Sequence, residues 1–125
     1  MTASELPGGY HSVNARIVVA DVSAMVEFLR SVFGATGEVA ADRPAEVRIG
    51  DSVVLVSAAG ERDVFPAFLY VYVADADTTY VRAVEAGAVS VEEPFATPYG
   101  DRRAMVRDRF GNLFHIANRA SGAMS

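Results

Sequence analysis

An internal duplication constrains this chain more than any other feature of its sequence. Val19-Ala20-Asp21 recurs as Val73-Ala74-Asp75, 54 residues later, and Gly34-Ala35 recurs as Gly87-Ala88, 53 residues later. Because these landmarks keep their order and nearly keep their spacing, they indicate two copies of one supersecondary unit. A fold built from two similar modules is therefore the first prediction.

The turn near the end of each copy is also repeated, with a larger spacing. Gly50-Asp51 lies between two short apolar runs, as expected for a hairpin turn. Gly111-Asn112 is the equivalent pair in the second copy, 61 residues later. The larger spacing places an insertion in the second copy, at about residues 95–102. This insertion contains Tyr99 in the sequence Pro-Tyr-Gly-Asp, whose residue types are typical of a loop.

Each copy predicts the order strand, helix and three further strands. Residues 13–20 alternate and are rich in β-branched side chains, which favours a strand with one buried face. Asp21 is a suitable N-cap for the helix that follows, and Gly34 is a suitable end because glycine adopts the left-handed conformation freely. The remaining strands of the first copy are predicted at residues 36–41, 45–49 and 52–58.

These elements predict a single α+β domain in which two βαβββ modules are joined by a short linker. The first module covers about residues 12–58, the linker 59–66 and the second module 67–118. The first nine residues and the tail from Ala120 have few apolar side chains to bury. We expect both ends to be loosely held.

Composition excludes several classes of protein. The chain has no cysteine, which excludes disulfides, thiolate metal sites and a cysteine nucleophile. Its net charge is −5 and its eleven basic residues are all arginine, so nucleic acid is not an expected partner. No apolar run approaches the roughly 20 residues of a membrane span, and the N-terminus lacks the pattern of a secretory signal. We therefore expect a cytoplasmic protein without a membrane partner.

Two segments resemble the vicinal oxygen chelate superfamily, which includes glyoxalases, bleomycin-resistance proteins and extradiol dioxygenases. They are residues 18–35 and, more specifically, residues 106–118, which read Val-Arg-Asp-Arg-Phe-Gly-Asn-Leu-Phe-His-Ile-Ala-Asn. The resemblance covers about residues 12–118. It implies that the mixed sheets of the two modules curve into a half-barrel, with the ligand on the concave side and the helices on the convex side. It also implies a homodimer.

Alternation of side chains assigns the two faces of the predicted strands. In the first strand Ala15, Ile17 and Val19 are expected to pack on the helices, which turns Arg16 to the concave side. The same reasoning turns the alternate residues of the strand at 67–73 inward, namely Phe68, Tyr70 and Tyr72.

The last two strands add three more inward residues. His115 turns inward if Phe114 and Ile116 pack on the helices. Arg103 and Met105 turn inward if the small and apolar residues that alternate with them, Ala104 and Val106, are packed.

Catalytic members of the superfamily hold a divalent metal between four side chains, two from each module. The resemblance implies that the corresponding positions are Arg16, Val54, Tyr70 and His115. Only His115 is a common metal ligand, and the permanent positive charge of Arg16 repels a metal cation. Shifting each strand by two residues in either direction brings in no histidine or carboxylate. We therefore expect neither a metal site nor another cofactor.

The predicted ligand site combines inward-facing aromatic, sulfur-containing and basic side chains with one loop tyrosine. The candidate ligand-binding residues are Arg16, Phe68, Tyr70, Tyr72, Tyr99, Arg103, Met105 and His115. Aromatic rings offer apolar surface, while arginine and histidine donate to oxygen acceptors. This combination predicts a planar ligand that is aromatic, acceptor-rich or anionic. No catalytic residue is assigned.

Each of these residues also has a structural interpretation. Tyr70 and Tyr72 are consistent with filling a sheet or dimer interface, since tyrosine is common in strands. Arg16 is consistent with pairing to a carboxylate such as Glu46. His115 is consistent with a hydrogen-bonded strand residue, and Arg103 with a solvated hairpin charge.

The sequence thus predicts a metal-independent small-molecule-binding protein of the glyoxalase and bleomycin-resistance type, which sequesters an antibiotic or a metabolite. Three alternatives stay open. One is a metal-dependent lyase, isomerase or dioxygenase of the same superfamily. A second is a metal-free acid–base enzyme that uses His115. The third is a dimerising module whose concave side is filled.

Overall fold

The computed structural model describes residues 8–60 and 63–120. Contacts divide the chain into two units, the first ending at Phe65 and the second beginning at Pro66. This boundary lies within the predicted linker at residues 59–66. The expectation of loosely held ends falls mainly on residues 1–7 and 121–125, which lie outside the described residues.

The first unit contains one helix and a three-stranded sheet. Its elements are β1 (Ala15–Val19), α1 (Val22–Phe33), β2 (Ala45–Ile49) and β3 (Ser52–Ala58). The strand order is β1-β3-β2, with β1 parallel and β2 antiparallel to β3, so the sheet is mixed. α1 packs on β2 and β3.

α1 begins and ends where the sequence predicts. The Asp21 carboxylate accepts a hydrogen bond from the Ala24 backbone N–H at 3.0 Å. Gly34 takes a φ of 66° and its N–H donates to the Arg30 carbonyl, which satisfies the last turn. The helix buries a stripe of apolar side chains formed by Met25, Val26, Phe28, Leu29 and Val32.

The strand predicted at residues 36–41 does not form, and this prediction was wrong. Only Thr36 pairs with the sheet, in an isolated bridge with Arg48. Gly37 follows with a φ of 133°, and a Cβ there would lie 2.2 Å from the Glu46 carbonyl oxygen. This close approach requires glycine, and its backbone conformation ends the extended segment after one residue. The first module is therefore βαββ in its regular elements.

The second unit has the complete predicted order. Its elements are β4 (Phe68–Tyr72), α2 (Ala76–Glu85), β5 (Val89–Ala96), β6 (Asp101–Arg107) and β7 (Leu113–Arg119). The strand order is β4-β7-β6-β5, with β4 parallel to β7 and the other pairs antiparallel. Two mixed sheets, each with one helix, confirm the predicted α+β class.

One face of the second sheet forms the apolar core of this unit. Ala104, Val106, Phe114 and Ile116 are completely buried there, and α2 packs on β5, β6 and β7. Because side chains alternate along a strand, this packing turns the residues between them to the opposite face. Neither helix of the described chain has the length and apolar character that a membrane span requires.

Two buried polar side chains hold the turn between β6 and β7. Asp108 Oδ1 accepts from the N–H groups of Phe110 and Asn112, and its Oδ2 accepts from Asn112 Nδ2, each at 2.9 Å. Asn112 Oδ1 in turn accepts from the Ala67 N–H at 2.9 Å. The turn is thereby tied to the start of β4.

Replacing Asp108 with alanine is expected to destabilise the protein markedly, since buried donors lose their acceptor. We expect Asp108→Ala to lower the free energy of unfolding by about 2–3 kcal/mol, measured by urea denaturation. Asp51→Ala, at the exposed turn between β2 and β3, is the matched control and should cost less than about 0.5 kcal/mol. Equal losses in the two variants would contradict the role given to Asp108.

Candidate functional site

The face of the second sheet opposite its buried core carries a row of aromatic and charged side chains, and we call it the open face. Tyr70 pairs with His115 across β4 and β7, and His115 pairs with Met105 across β7 and β6. Paired residues share a face, so these three side chains lie in one line across the sheet. The same alternation places Phe68, Tyr72 and Arg103 on the open face, as the sequence predicts.

Three aromatic side chains of β4 expose their rings on this face. Phe68, Tyr70 and Tyr72 are 57%, 40% and 57% exposed. The ring of His115 lies between two of them, 5.1 Å from the Phe68 centroid and 5.0 Å from the Tyr70 centroid. Tyr70 and Tyr72 are 5.4 Å apart and tilted. This spacing leaves a continuous aromatic surface.

The hydroxyl ends of the two strand tyrosines converge on Asp101, the first residue of β6. Its buried carboxylate accepts at Oδ2 from Tyr70 at 2.5 Å and from Tyr72 at 2.9 Å. Arg119 Nη1 donates to the other oxygen at 2.7 Å. Thr97 fixes the backbone of Asp101, since its Oγ1 accepts from the Asp101 N–H and donates to the Asp101 carbonyl, both at 2.9 Å.

The hydrogen bond from Tyr70 determines which group of this cluster carries the proton. This hydrogen bond is the main cause that lowers the pKa of Asp101. Burial raises that pKa, whereas Tyr72 and Arg119 lower it further. Burial, followed by the bond to Asp101, raises the pKa of Tyr70. At neutral pH Asp101 is therefore a carboxylate and Tyr70 a protonated phenol that donates to it.

Arg103 forms a second cluster beside the first. Its Nη1 donates to the Tyr99 hydroxyl at 2.7 Å and its Nη2 to Glu92 Oε1 at 3.2 Å. The guanidinium carbon lies 5.1 Å from the Phe95 ring centroid, within cation–π distance. The Tyr99 and Tyr70 hydroxyls, 3.5 Å apart, link the two clusters. Arg103 is thus a paired, largely buried cation and not a solvated hairpin charge.

Two irregularities in β5 bring Glu92 and Phe95 to the same arginine. Glu92 is the partner of Met105 and Phe95 is the partner of Arg103, with register shifts before and between them. Residues three apart point to opposite faces of a regular strand, so a bulge is required for both to reach the open face.

His115 is a neutral imidazole at physiological pH. Burial is the main cause that lowers its pKa, the charge of Arg103 lowers it further, and Glu92 opposes the shift. The ring contacts with Phe68 and Tyr70 make it part of the aromatic surface. The structural interpretation of His115 and its role in binding both stay predictions.

Arg16, the remaining sequence candidate, lies on β1 in the first unit. It is exposed and its Nη1 donates to Ser57 Oγ at 3.2 Å. Glu46, the carboxylate considered as its partner, lies beside the Tyr10 hydroxyl. Burial, followed by the interaction with Glu46, raises the pKa of Tyr10. The other seven candidates lie in the second unit. Whether any of the eight binds a ligand stays a prediction.

The sequence interpretation missed three residues that organise the open face: Asp101, Arg119 and Glu92. Asp101 is two residues before Arg103 and Arg119 is four residues after His115, so the alternation predicted for β6 and β7 contained the signal. The insertion predicted at residues 95–102 includes Asp101, and the predicted second module ends at residue 118. Glu92 had no local signal, because the bulges of β5 change its face.

The strand pairing corrects one of the four positions that the resemblance implied for a metal. Tyr70 pairs with His115 in the second unit, while its counterpart Arg16 pairs with Leu55 in the first. Val54 lies one residue away, on the face packed against α1, so its assignment was wrong. The error arose because the hairpin turns of the two modules differ in length. Leu55 offers no metal ligand either.

The side chains at these positions do not fit a divalent metal. The Tyr70 proton is committed to Asp101, and a raised pKa disfavours the phenolate that a metal would need. His115 lies between two aromatic rings. Within residues 8–60 and 63–120, no three His, Asp or Glu side chains group together in a way that could hold a metal ion.

Comparison with known proteins identifies the family. Residues 10–116 match the model of the Glyoxalase/Bleomycin resistance protein/Dioxygenase superfamily, and the chain belongs to this family. TioX from Micromonospora sp. ML1 is similar, with a TM-score of 0.72 and 25% identity, over 90% of this chain and 98% of that one.

Two further solved structures share the fold. A glyoxalase/bleomycin resistance protein/dioxygenase family enzyme from Burkholderia phytofirmans PsJN has a TM-score of 0.72 and 23% identity, over 89% of this chain and 97% of that one. A gene product from Arabidopsis thaliana has a TM-score of 0.69 and 24% identity, over 86% and 98%. No curated protein matches the sequence significantly.

Asp101 is expected to make stability depend on pH in the acid range. Its folded-state pKa lies below the ordinary value of 3.8, so its carboxylate stabilises the fold above that value. This contribution is lost as the pH falls through the lowered pKa. The difference in free energy of unfolding between wild type and Asp101→Asn should therefore be largest near neutral pH and shrink below about pH 4. Chemical denaturation at a series of pH values measures it.

The control for this series is Asp77→Asn. Asp77 forms an exposed pair with Arg102 at 3.0 Å, and its loss should change the free energy of unfolding little. If the Asp101→Asn difference stayed constant from neutral to acid pH, the carboxylate would not have the role assigned to it.

Proposed function

We propose that this protein binds a small planar aromatic molecule on its open face by ring stacking, without a divalent metal. The observation that carries the proposal is the exposure of several large rings on one face. Phe68, Tyr70, Tyr72, Tyr99 and Phe95 are each between 38% and 57% exposed. An exposed apolar surface with polar groups among its rings is a common sign of a binding site.

The rings are held in place by their polar ends. Asp101 anchors the hydroxyls of Tyr70 and Tyr72, and Arg103 anchors the hydroxyl of Tyr99. Side chains that are already ordered lose less conformational entropy when a ligand binds. This arrangement supports a binding role for the tyrosines. Tyrosines that only filled a sheet interface would not need a buried carboxylate to fix their hydroxyls.

Two features support binding without a metal. The positions that hold the ion in catalytic relatives are here Arg16, Leu55, Tyr70 and His115, with a single common ligand among them. Tyr70 and His115 are also engaged by neighbouring side chains. We propose that the ligand is sequestered and not converted, an antibiotic or a metabolite being the expected class. The homodimer, the cytoplasmic location and a contribution from Arg16 remain predictions.

Removal of a β4 ring is expected to weaken binding. Isothermal titration calorimetry with a naphthalene carboxamide should show saturable binding to the wild type, and Tyr70→Ala and Tyr72→Ala should each lower affinity about tenfold or more. Tyr80→Ala is the control, because Tyr80 lies on α2 and donates to Ser90. Unchanged affinity in both β4 variants would exclude the open face as the site.

Metal is expected to have no effect on this binding. A chelator, or added zinc, nickel, manganese or iron(II), should leave the affinity for the naphthalene carboxamide unchanged, since no ion participates. The same metals titrated alone should show no binding near one equivalent. One equivalent of metal bound by the wild type and lost in His115→Ala would overturn the proposal. It would favour the metal-dependent lyase, isomerase or dioxygenase instead.

A further inference from the structure

The positive charges near the tyrosine hydroxyls are paired with carboxylates, and Arg103 Nε, which has no hydrogen-bond partner among the described residues, is buried away from a ligand. Arg119 bonds Asp101 at 2.7 Å and Arg103 bonds Glu92 at 3.2 Å. Arg107 also lies on the open face, but at the other end of β6, about 20 Å from Asp101 at the usual rise per residue. His115 is neutral for the reasons given above. The surroundings of the hydroxyls therefore carry two positive and two negative charges.

The protons of the Tyr70 and Tyr72 hydroxyls are committed as well. Tyr70 and Tyr72 both donate to Asp101, so towards a ligand their oxygens offer only lone pairs. The Arg119 guanidinium lies beside the Tyr72 oxygen and competes with a ligand for it. The Tyr70 oxygen has only a long contact of 3.5 Å with the Tyr99 hydroxyl. Since a hydroxyl oxygen has two lone pairs, Tyr70 retains a hydrogen-bond acceptor.

We infer that the ligand of the open face is an uncharged planar aromatic molecule with an N–H or O–H group that donates to the Tyr70 hydroxyl oxygen. The inference rests on the proposed function and names its ligand class. It differs from the acceptor-rich or anionic ligand expected from the arginines, because Arg103 and Arg119 are paired with carboxylates. An anion at this position would meet lone pairs and the charge of Asp101. A cation would find no unpaired carboxylate among the bonds described.

Indole and benzothiophene test the donor, since they have nearly the same shape and only indole has an N–H group. Calorimetry of both with wild type, Tyr70→Phe and Tyr80→Phe gives the ratio of their affinities in each protein. We expect Tyr70→Phe to reduce the preference for indole about fivefold, the value of one hydrogen bond. Tyr80→Phe removes a hydroxyl from α2 and should keep the wild-type ratio.

Indole carboxylate tests the effect of a negative charge, and N-methylindole tests the effect of losing the N–H donor. Both are measured on the wild type, so the result does not depend on the folding of a variant. Both should bind at least about fivefold more weakly than indole. Tighter binding of the carboxylate, or equal binding of N-methylindole, would overturn the inference, as would an unchanged ratio in a folded Tyr70→Phe. These outcomes would leave the proposed function, ring stacking on the open face, uncontradicted. If none of the four compounds binds, the proposed function itself fails.

Discussion

The buried carboxylate of Asp101 is the interaction on which the open face depends. A single aspartate at the start of β6 accepts hydrogen bonds from two tyrosines of β4 and from an arginine of β7. These strands are neighbours in the sheet but distant in the chain. A buried charge is tolerated because donors surround it, and in turn it fixes their side chains. The orientation of the aromatic surface is therefore a result of electrostatics at its edge.

At two of the positions that the family resemblance implies for a metal, Tyr70 and His115, other side chains already engage the groups that a metal would need. A metal would need free lone pairs from several side chains, whereas here the Tyr70 proton and the His115 ring are engaged by other groups. Pairing Arg103 with Glu92 and Arg119 with Asp101 balances the charge around the tyrosine hydroxyls. Ring area and a small number of directed lone pairs are therefore the properties that the proposed ligand would use.

Features that depend on residues close together in the chain could be predicted from the sequence, whereas features that depend on tertiary contacts could not. α1, its caps and the alternation of β6 and β7 were predicted correctly, since they depend on residues a few positions apart. The segment at 36–41 was misread because the close approach of Gly37 to β2 is a tertiary contact. The spacing between the modules places Val54 one residue out of register, because the hairpin turns of the two modules differ in length. Asp101 was missed because the insertion predicted at residues 95–102 includes it, whereas β6 begins at this residue.

The bulges of β5 have a consequence for the edge of the second sheet. β5 is the last strand in the order β4-β7-β6-β5, so one side of its backbone has no partner within this sheet. An evenly spaced edge of that kind invites a strand from another molecule to add to it. The register shifts that turn Glu92 and Phe95 towards Arg103 also interrupt this spacing. The irregularity that supplies a counter-ion to Arg103 is thus also expected to disfavour edge-to-edge pairing between molecules.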